Sequence, residues 1–298
     1  SITTRWSAAV TAYNGYLYLT GGSDGSACPG TCGFVGTQYA KIDPAGIVGT
    51  IQGTNSFTTN REGGQTVAYN GYLYEMGGDA GGLNAPVVSV YKAAIDDDGG
   101  AVGPFSSTTS FTTARTFFGA VAYNGYMYVL GGCTGHFSVC TSTGNNVATV
   151  YKSAINSSTG ALGSWSNTNM TAFTTARYGF SVEIYNGYMY IMGGLNGSTL
   201  ERDIQYHAIA GDGTMSGAWT SVPTTPTDYR LPTAMASFGA TTYGGYLYVA
   251  GGCTAGNLST CTAVSNTVSY AKFNPSGGLL SDAGCGSVWC SGASFTNA

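Results

Sequence analysis

The sequence is poor in charge and contains no long apolar run. Only 8% of its 298 residues are charged, against about 25% in ordinary soluble chains, which excludes charged disordered tails and long charged helices. The ten Lys and Arg residues are spread over the whole length, so no basic stripe is available to neutralise nucleic-acid phosphates. No run of 18 apolar residues is found, and the first residues show no secretion signal. We therefore expect no transmembrane segment in this chain and no nucleic-acid partner.

Metal-ligating residues are also scarce. The chain has two histidines, His136 and His207, and no CxxC motif, so neither a metal site nor a cofactor is expected. Local disulfides are the simplest interpretation of the cysteines, and persistent disulfides indicate an oxidising compartment. The sequence therefore predicts a secreted or cell-surface protein. The eight cysteines form four close pairs: Cys28/Cys32, Cys133/Cys140, Cys253/Cys261 and Cys285/Cys290.

An eleven-residue phrase recurs five times along the chain. Each copy reads Tyr, Asn or Gly, Gly, Tyr, Leu or Met, Tyr, and ends in Gly-Gly, and the final glycines lie 56, 54, 62 and 58 residues apart. The central Asn-Gly or Gly-Gly pair is typical of a two-residue type I′ hairpin turn, which needs positive φ at both positions. The period is too long for one solenoid turn and fits a four-stranded propeller blade. The copies occupy residues 12–22, 68–78, 122–132, 184–194 and 242–252.

A second shared phrase follows each copy and supplies the other two strands. It begins at a tyrosine, passes through a Gly-containing turn and reaches a bulky residue, which indicates a third strand, a turn and an outer fourth strand. The sequence thus predicts an all-β fold, a single five-bladed β-propeller of four-stranded antiparallel blades. The tyrosines are Tyr39, Tyr91, Tyr151, Tyr206 and Tyr270, and the bulky residues are Ile51, Phe105, Trp165, Trp219 and Trp289. The expected blades are 1–55, 56–109, 110–171, 172–230 and 231–298.

The repeats resemble those of the kelch-repeat β-propellers. The shared elements are Gly-Gly after the second strand, an upstream Arg and a downstream aromatic followed by Trp, and the resemblance covers essentially the whole chain. Kelch propellers mostly have six or seven blades, so five repeats is a departure. Ser294-Phe-Thr-Asn297 restates Ser56-Phe-Thr-Thr59, and residues 1–4 do likewise. This agreement in phase favours a closed five-bladed ring.

The strand order a-b-c-d within a repeat assigns the connections to two faces. The a–b and c–d turns share one face, whereas the b–c and d–a loops share the other. Three of the b–c loops hold a cysteine pair and they differ in length, so recognition is expected on the b–c/d–a loop face.

The same face receives an arginine from each of four repeats, eight residues before the first tyrosine of the phrase. The kelch resemblance implies that this residue lines the mouth of the central channel and binds acidic ligands. The alternative interpretation is structural: the guanidinium groups satisfy backbone carbonyls and the carboxylates of Glu75 and Glu183. The candidate ligand-binding residues are Arg5, Arg61, Arg115 and Arg177, and the fifth repeat has Met235 at this position.

These features favour binding or assembly over catalysis. The hypothesis is an extracellular recognition or structural module, such as an adhesin, a surface-layer protein or a filament-associated propeller. Its partner would be a protein, a second copy of itself or a surface glycan. The alternative is a secreted carbohydrate-active enzyme of propeller fold using Glu75, Asp79 and Glu183. No Ser/His/Asp set or phosphate-binding loop is recognisable, so no catalytic residue is assigned.

Overall fold

Repeated hairpins give the chain its β-structure. The computed structural model describes residues 5–23, 33–80 and 85–296. In these residues the regular elements are β-strands and two 3₁₀ turns, Phe137–Val139 and Thr143–Asn145, with no α-helix. None of the described helical segments is long and apolar enough to span a membrane. The fold is an all-β, five-bladed β-propeller with antiparallel blades, which confirms the predicted fold class.

The first two blades have four strands each, and both follow the predicted order. Blade 1 contains β1 (Ala9–Tyr13), β2 (Tyr16–Thr20), β3 (Thr37–Lys41) and β4 (Gln52–Gly53). Blade 2 contains β5 (Gln65–Tyr69), β6 (Tyr72–Met76), β7 (Val90–Ala94) and β8 (Ser106–Thr108).

Blade 3 departs from the prediction because it has three strands rather than four. They are β9 (Gly119–Tyr123), β10 (Tyr126–Leu130) and β11 (Val150–Ala154). Trp165, expected in the outer strand, donates its indole N–H to the carbonyl of Thr109 at 2.9 Å, and the next residue, Ser166, forms a β-bridge rather than a regular strand. Its ring packs edge-on against Phe111, with the centroids 5.9 Å apart. Trp219 makes the same two contacts in blade 4, with Thr171 and Phe173. There the next two residues do form a strand, so the indole contacts do not account for the missing strand of blade 3.

The last two blades have four strands and an additional hairpin in the b–c connection. The added hairpins lengthen the b–c connections and leave the four strands of each blade unchanged. Blade 4 contains β12 (Ser181–Tyr185), β13 (Tyr188–Met192), the hairpin β14 (Leu195–Asn196) and β15 (Thr199–Leu200), β16 (Ile204–Ala208) and β17 (Thr220–Ser221). Blade 5 contains β18 (Gly239–Tyr243), β19 (Tyr246–Ala250), the hairpin β20 (Cys253–Gly256) and β21 (Cys261–Val264), β22 (Val268–Lys272) and β23 (Trp289–Ser291).

The a–b turn has the backbone conformation that its sequence predicts. Asn14 and Gly15 have φ of 47° and 78°, and they close a hairpin in which Tyr13 pairs with Tyr16. Positive φ at both positions is the type I′ requirement, which Asn and Gly meet at least cost. The same pair of positive φ values recurs at the equivalent turns of the other four repeats.

Tyrosines of strand b join one blade to the next. The Tyr18 hydroxyl, fully buried, donates to the carbonyl of Gly100 at 3.0 Å, and Tyr74 makes the same bond to Gly160 at 2.7 Å. A Cβ on Gly100 would lie 2.4 Å from the Tyr16 ring, so the c–d turn must have glycine there. These tyrosines are packing residues, each with its polar end satisfied.

The chain divides into two compact units. The first comprises Ser1–Tyr128, Cys133–His136 and Ser153–Ser166, and the second comprises Val129–Gly132, Phe137–Lys152 and Asn167–Ala298. The core of the second unit is built from side chains of blades 4 and 5, among them Tyr190, Leu247 and Phe273.

Disulfides form within the predicted local pairs. Cys253 is bonded to Cys261 and Cys285 to Cys290. Cys133 and Cys140 are disulfide-bonded as well, and no free thiol is found among the described cysteines. The Cys28/Cys32 pair lies outside the described residues and stays a prediction. These bonds indicate an oxidising environment.

Candidate binding face and buried arginine positions

The Gly-Gly doublet ends strand b and fastens each blade to the following repeat. Gly22, with φ of 89°, donates its N–H to the carbonyl of Arg61 at 2.7 Å. A Cβ on Gly22 would lie 2.9 Å from that of Ala8, so both conformation and space require glycine. We call this main-chain bond the clasp. It recurs from Gly78 to Arg115, from Gly132 to Arg177 and from Gly194 to Met235, at 2.8 to 3.0 Å.

The Arg177 side chain is fully buried, and each of its three guanidinium nitrogens donates a hydrogen bond. Its Nε donates to the carbonyl of Thr175 and its Nη1 to the carbonyl of Gly193, both at 3.0 Å. Both terminal nitrogens also bind the carboxylate of Asp203, with Nη2 2.9 Å from Oδ2. Burial alone would raise the pKa of Asp203, but the hydrogen bonds and charge of Arg177 hold it below its ordinary value. This fork-to-fork ion pair fixes the guanidinium.

Arg5 repeats part of this arrangement. Its Nη1 donates to the carbonyl of Gly21 at 2.9 Å, just as Arg177 uses Gly193, and its Nη2 donates to Gln38 at 3.2 Å. The guanidinium lies 4.3 Å from the centroid of the Phe34 ring, and burial lowers its pKa. Arg115 is also buried and donates from Nε to the carbonyl of Thr113 at 3.2 Å. Each of these arginines has interior acceptors.

Arg61 is the exception, because it is buried without a full set of partners. Its Nη2 donates to the Ser89 hydroxyl at 2.6 Å, whereas its Nε and Nη1 have no hydrogen-bond acceptor among the described residues. Ser89 precedes strand c as Asp203 does in blade 4, since Gly77 and Gly193 donate to their respective carbonyls. Burial lowers the pKa of Arg61, against the charge of Glu75. A short hydroxyl thus replaces the carboxylate of blade 4.

Glu75 lies within range of the charge of Arg61 but is hydrogen-bonded to threonines, and Glu183 is not the partner of Arg177. Glu75 accepts hydrogen bonds from the hydroxyls of Thr20 and Thr66, at 2.7 and 2.5 Å. Burial raises its pKa to about 7, although these bonds and the charge of Arg61 oppose the shift. Burial also raises the pKa of Glu183, to about 8. The carboxylate that binds Arg177 is Asp203 and not Glu183.

Asp79 lies in a buried acidic cluster with Glu62 and His136. Glu62 and Asp79 pair through their main chains, with N–H to carbonyl distances of 3.1 and 2.8 Å. His136 Nε2 lies 3.6 Å from Asp79 Oδ2. Burial and then the charge of Asp79 raise the pKa of Glu62 to about 7. Burial likewise raises the pKa of Asp79, against the charge of His136.

This geometry does not favour the enzyme alternative. Glu75 is 1% exposed and Asp79 4%, so neither carboxylate is open to a sugar in this structure. The described residues contain no group of three or more His, Cys, Asp or Glu placed to hold a metal ion. Glu62 was not identified from the sequence, although a lone acid stands there where the other repeats have Trp6, Thr116, Tyr178 and Ala236.

The b–c loops of blades 3, 4 and 5 form one continuous surface in the second unit. The Asn146 side chain donates to the carbonyl of Cys140 at 2.9 Å and accepts from the N–H of Gly197 at 2.6 Å. Strand β15 lies beside β20 of the next blade. The Leu258 side chain lies 3.1 Å from where a Cβ on Gly179 would stand. We define the loop face as residues 140–146, 195–200 and 253–264.

The fold and the repeated Gly-Gly and arginine positions define a class of protein, the repeat propellers. The kelch motif profile matches residues 114–151 and 176–206, which contain strands a and b of blades 3 and 4 and end within strand c. The resemblance to kelch-repeat propellers is therefore confirmed. Comparison with curated proteins finds no match.

Proposed function

We propose that the chain is an extracellular protein-binding module that engages its partner through the loop face. The observation that carries this proposal is the contrast between the two ends of the blades. The a–b turns share one conformation and nearly one sequence. The b–c loops differ: blade 3 has two 3₁₀ turns, whereas blades 4 and 5 have hairpins. Variable loops on a uniform scaffold are where binding residues concentrate.

The loop face is also held rigid before any partner arrives. Asn146 is buried, and its bonds to Cys140 of its own loop and to Gly197 tie the blade 3 loop to the blade 4 hairpin. The Cys253–Cys261 disulfide closes the blade 5 hairpin, and all four residues of β21 are exposed. Preorganised loops lose little conformational entropy on binding, which raises affinity for a given contact area. These properties support recognition more than turnover.

An extracellular location supports the same function. Disulfides form and persist in oxidising compartments, of which the extracellular space is one. A glycan is the second ligand class under this proposal, with protein the favoured one. The arginines remain the candidate anion-binding residues, although their interior hydrogen bonds favour a structural role.

The test is a binding screen with one variant on each end of the same blade. The oxidised chain is probed against an array of purified extracellular protein domains and against a glycan array. Val264→Lys changes an exposed residue of the loop face, whereas Ser276→Lys changes an exposed residue of the c–d turn. We expect binding to protein domains that Val264→Lys abolishes and Ser276→Lys retains. Equal effects of the two variants, or binding confined to glycans, would overturn the proposal.

A further inference from the structure

Arg61 is a buried cation with unsatisfied donors inside the first compact unit. Its side chain is 2% exposed, and its Nε and Nη1 have no hydrogen-bond acceptor among the described residues. Its recorded side-chain contacts lie in the same unit: the Ser89 hydroxyl accepts from Nη2, and the centroid of the Tyr91 ring lies 5.6 Å from Cζ. Buried donors in native proteins almost always have a partner, because an unpaired donor has lost its hydration without return. The two nitrogens therefore need an acceptor that the described side chains do not supply.

The equivalent arginine of blade 4 shows what kind of acceptor this position takes. Arg177 directs both terminal nitrogens at the carboxylate of Asp203, the residue before strand β16. Ser89 holds that place before strand β7 of blade 2, and its side chain is one carbon and one oxygen shorter. Serine therefore supplies neither the negative charge nor the second oxygen that the equivalent aspartate supplies.

Glu75 is the carboxylate whose charge acts on Arg61, but its hydrogen bonds go elsewhere. Its Oε2 accepts from the hydroxyls of Thr20 and Thr66. Burial raises the pKa of Glu75 to about 7, so this carboxyl is largely protonated below neutral pH. Under those conditions the buried guanidinium keeps its charge without an ionised carboxylate bound to it in the described structure.

We propose that Arg61 binds a single halide ion, chloride in physiological solution, in the place that the Asp203 carboxylate takes beside Arg177. Arg61 donates to the ion from Nε and Nη1. The Ser89 hydroxyl accepts from Nη2 and keeps its own proton to donate to the same ion. A halide fits because serine is only two atoms shorter than aspartate, which leaves room for a one-atom ion and not for sulfate or a sugar acid. The ion is an internal part of blade 2, so the site differs from the acid-binding channel mouth that the kelch resemblance implies for all four arginines.

The first experiment measures thermal unfolding of the oxidised chain at pH 6 while sodium chloride replaces sodium gluconate at constant ionic strength. Gluconate is too large for the site, so it controls for general salt effects. A ligand that binds only the folded chain stabilises it with the logarithm of the ligand concentration. Each tenfold rise in chloride above the dissociation constant should therefore raise the melting temperature by about 3 °C.

Two variants should lose this response. Ser89→Asp supplies the carboxylate covalently, and Arg61→Met removes the donors. Without the halide Arg61→Met deletes one side-chain hydrogen bond, so its cost should be small in gluconate and should grow with chloride. Ser107→Asp is the matched control, because it adds the same charge at an exposed position of the same blade and should keep the whole response. A response that survives both site variants would overturn the proposal, and so would a melting temperature of the unchanged chain that is indifferent to chloride, which would indicate water as the acceptor.

The second experiment locates the ion by anomalous diffraction from crystals grown at pH 6 with bromide in place of chloride. We expect a bromide within hydrogen-bonding distance of Arg61 Nε and Nη1 and none beside Arg177, whose acceptors are already supplied by the chain. The Arg61 peak should be absent from crystals of Ser89→Asp. Bromide found only at the protein surface would mean an adventitious ion only and would overturn the proposal.

Discussion

Arg177→Met is expected to destabilise the chain far more than Arg61→Met. Methionine is the matched replacement because the fifth repeat has Met235 at this position. In Arg177→Met, the carbonyls of Thr175 and Gly193 lose their side-chain donor, and Asp203 loses both of its guanidinium bonds. Removing one partner of a buried pair costs about 3–5 kcal/mol. Asp203 is 25% exposed and regains water, so we expect a loss of about 2–3 kcal/mol.

Arg61→Met removes fewer stabilising hydrogen bonds than Arg177→Met does. The described structure gives Arg61 one side-chain hydrogen bond, to Ser89, and leaves Nε and Nη1 without acceptors. Deleting a guanidinium whose desolvation is not repaid costs about 1 kcal/mol or less. The two variants therefore differ although both arginines are buried to nearly the same extent. Urea unfolding measures the difference directly, and thermal unfolding should place Arg177→Met about 5 °C below the unchanged protein.

The loss in free energy of unfolding caused by Arg177→Met should also depend on pH. The pKa of Asp203 is lowered in the folded protein, so the stability that this carboxylate contributes is present above its unfolded pKa of about 3.9 and is lost as the pH falls through the folded value. The gap between Arg177→Met and the unchanged protein should therefore narrow below about pH 4. Equal losses in the two arginine variants would refute this reasoning. An unaltered melting temperature of Arg177→Met, together with salt-dependent loss of its binding to a polyanion, would also refute it and would favour a ligand-binding role for Arg177.

Three further predictions concern Ser89, Glu183 and the Cys28/Cys32 pair. Ser89→Asp should stabilise the chain by about 1 kcal/mol by giving Arg61 the partner that Arg177 has, and the gain should vanish when combined with Arg61→Met; a similar gain from the exposed Ser107→Asp would contradict this. Burial raises the pKa of Glu183 to about 8, so the folded chain keeps a proton that the unfolded chain releases above about pH 4.3, and stability falls as the pH rises from about 4.3 to about 8. Glu183→Gln should make that fall shallower, with the raised pKa values of Glu62 and Glu75 accounting for the rest, and urea midpoints that run parallel to those of the unchanged protein across this range would refute it, with Asp97→Asn as an exposed control. Peptide mapping without reduction should recover Cys28 linked to Cys32, and a bridge from either cysteine to another blade would show the local pairing to be wrong.

The parts of the fold that depend on neighbouring residues could be predicted from the sequence. The Asn14-Gly15 turn needs nothing beyond its own backbone preference, and it has the expected φ values. The clasp glycines and strand c tyrosines recur in every repeat, so alignment of the copies finds them. The missing fourth strand of blade 3 could not be predicted, because Trp165 makes the same contacts as Trp219 of blade 4, and Trp219 is followed directly by a fourth strand.

The environment of the candidate site was harder to predict because its partners are distant in sequence. Arg177 and Asp203 are 26 residues apart, and the equivalent residue in blade 2 is Ser89, so comparing the copies points away from an acid. His136 meets Asp79 from the loop of another repeat, at a position that no motif marks. The available signal was an acid present in only one repeat, as at Glu62, Asp79 and Asp203, where the equivalent positions of the other repeats carry no acid.

The clasp uses only main-chain atoms, from a glycine N–H to a carbonyl oxygen. The carbonyl belongs to arginine in three cases and to Met235 in the fourth, and the bond is the same length within 0.3 Å. Side-chain mutation at this position therefore leaves the joint between successive blades intact. This joint would therefore survive the exchange of a whole blade, whereas the contact of Tyr16 with Gly100 requires matching residues in two successive blades.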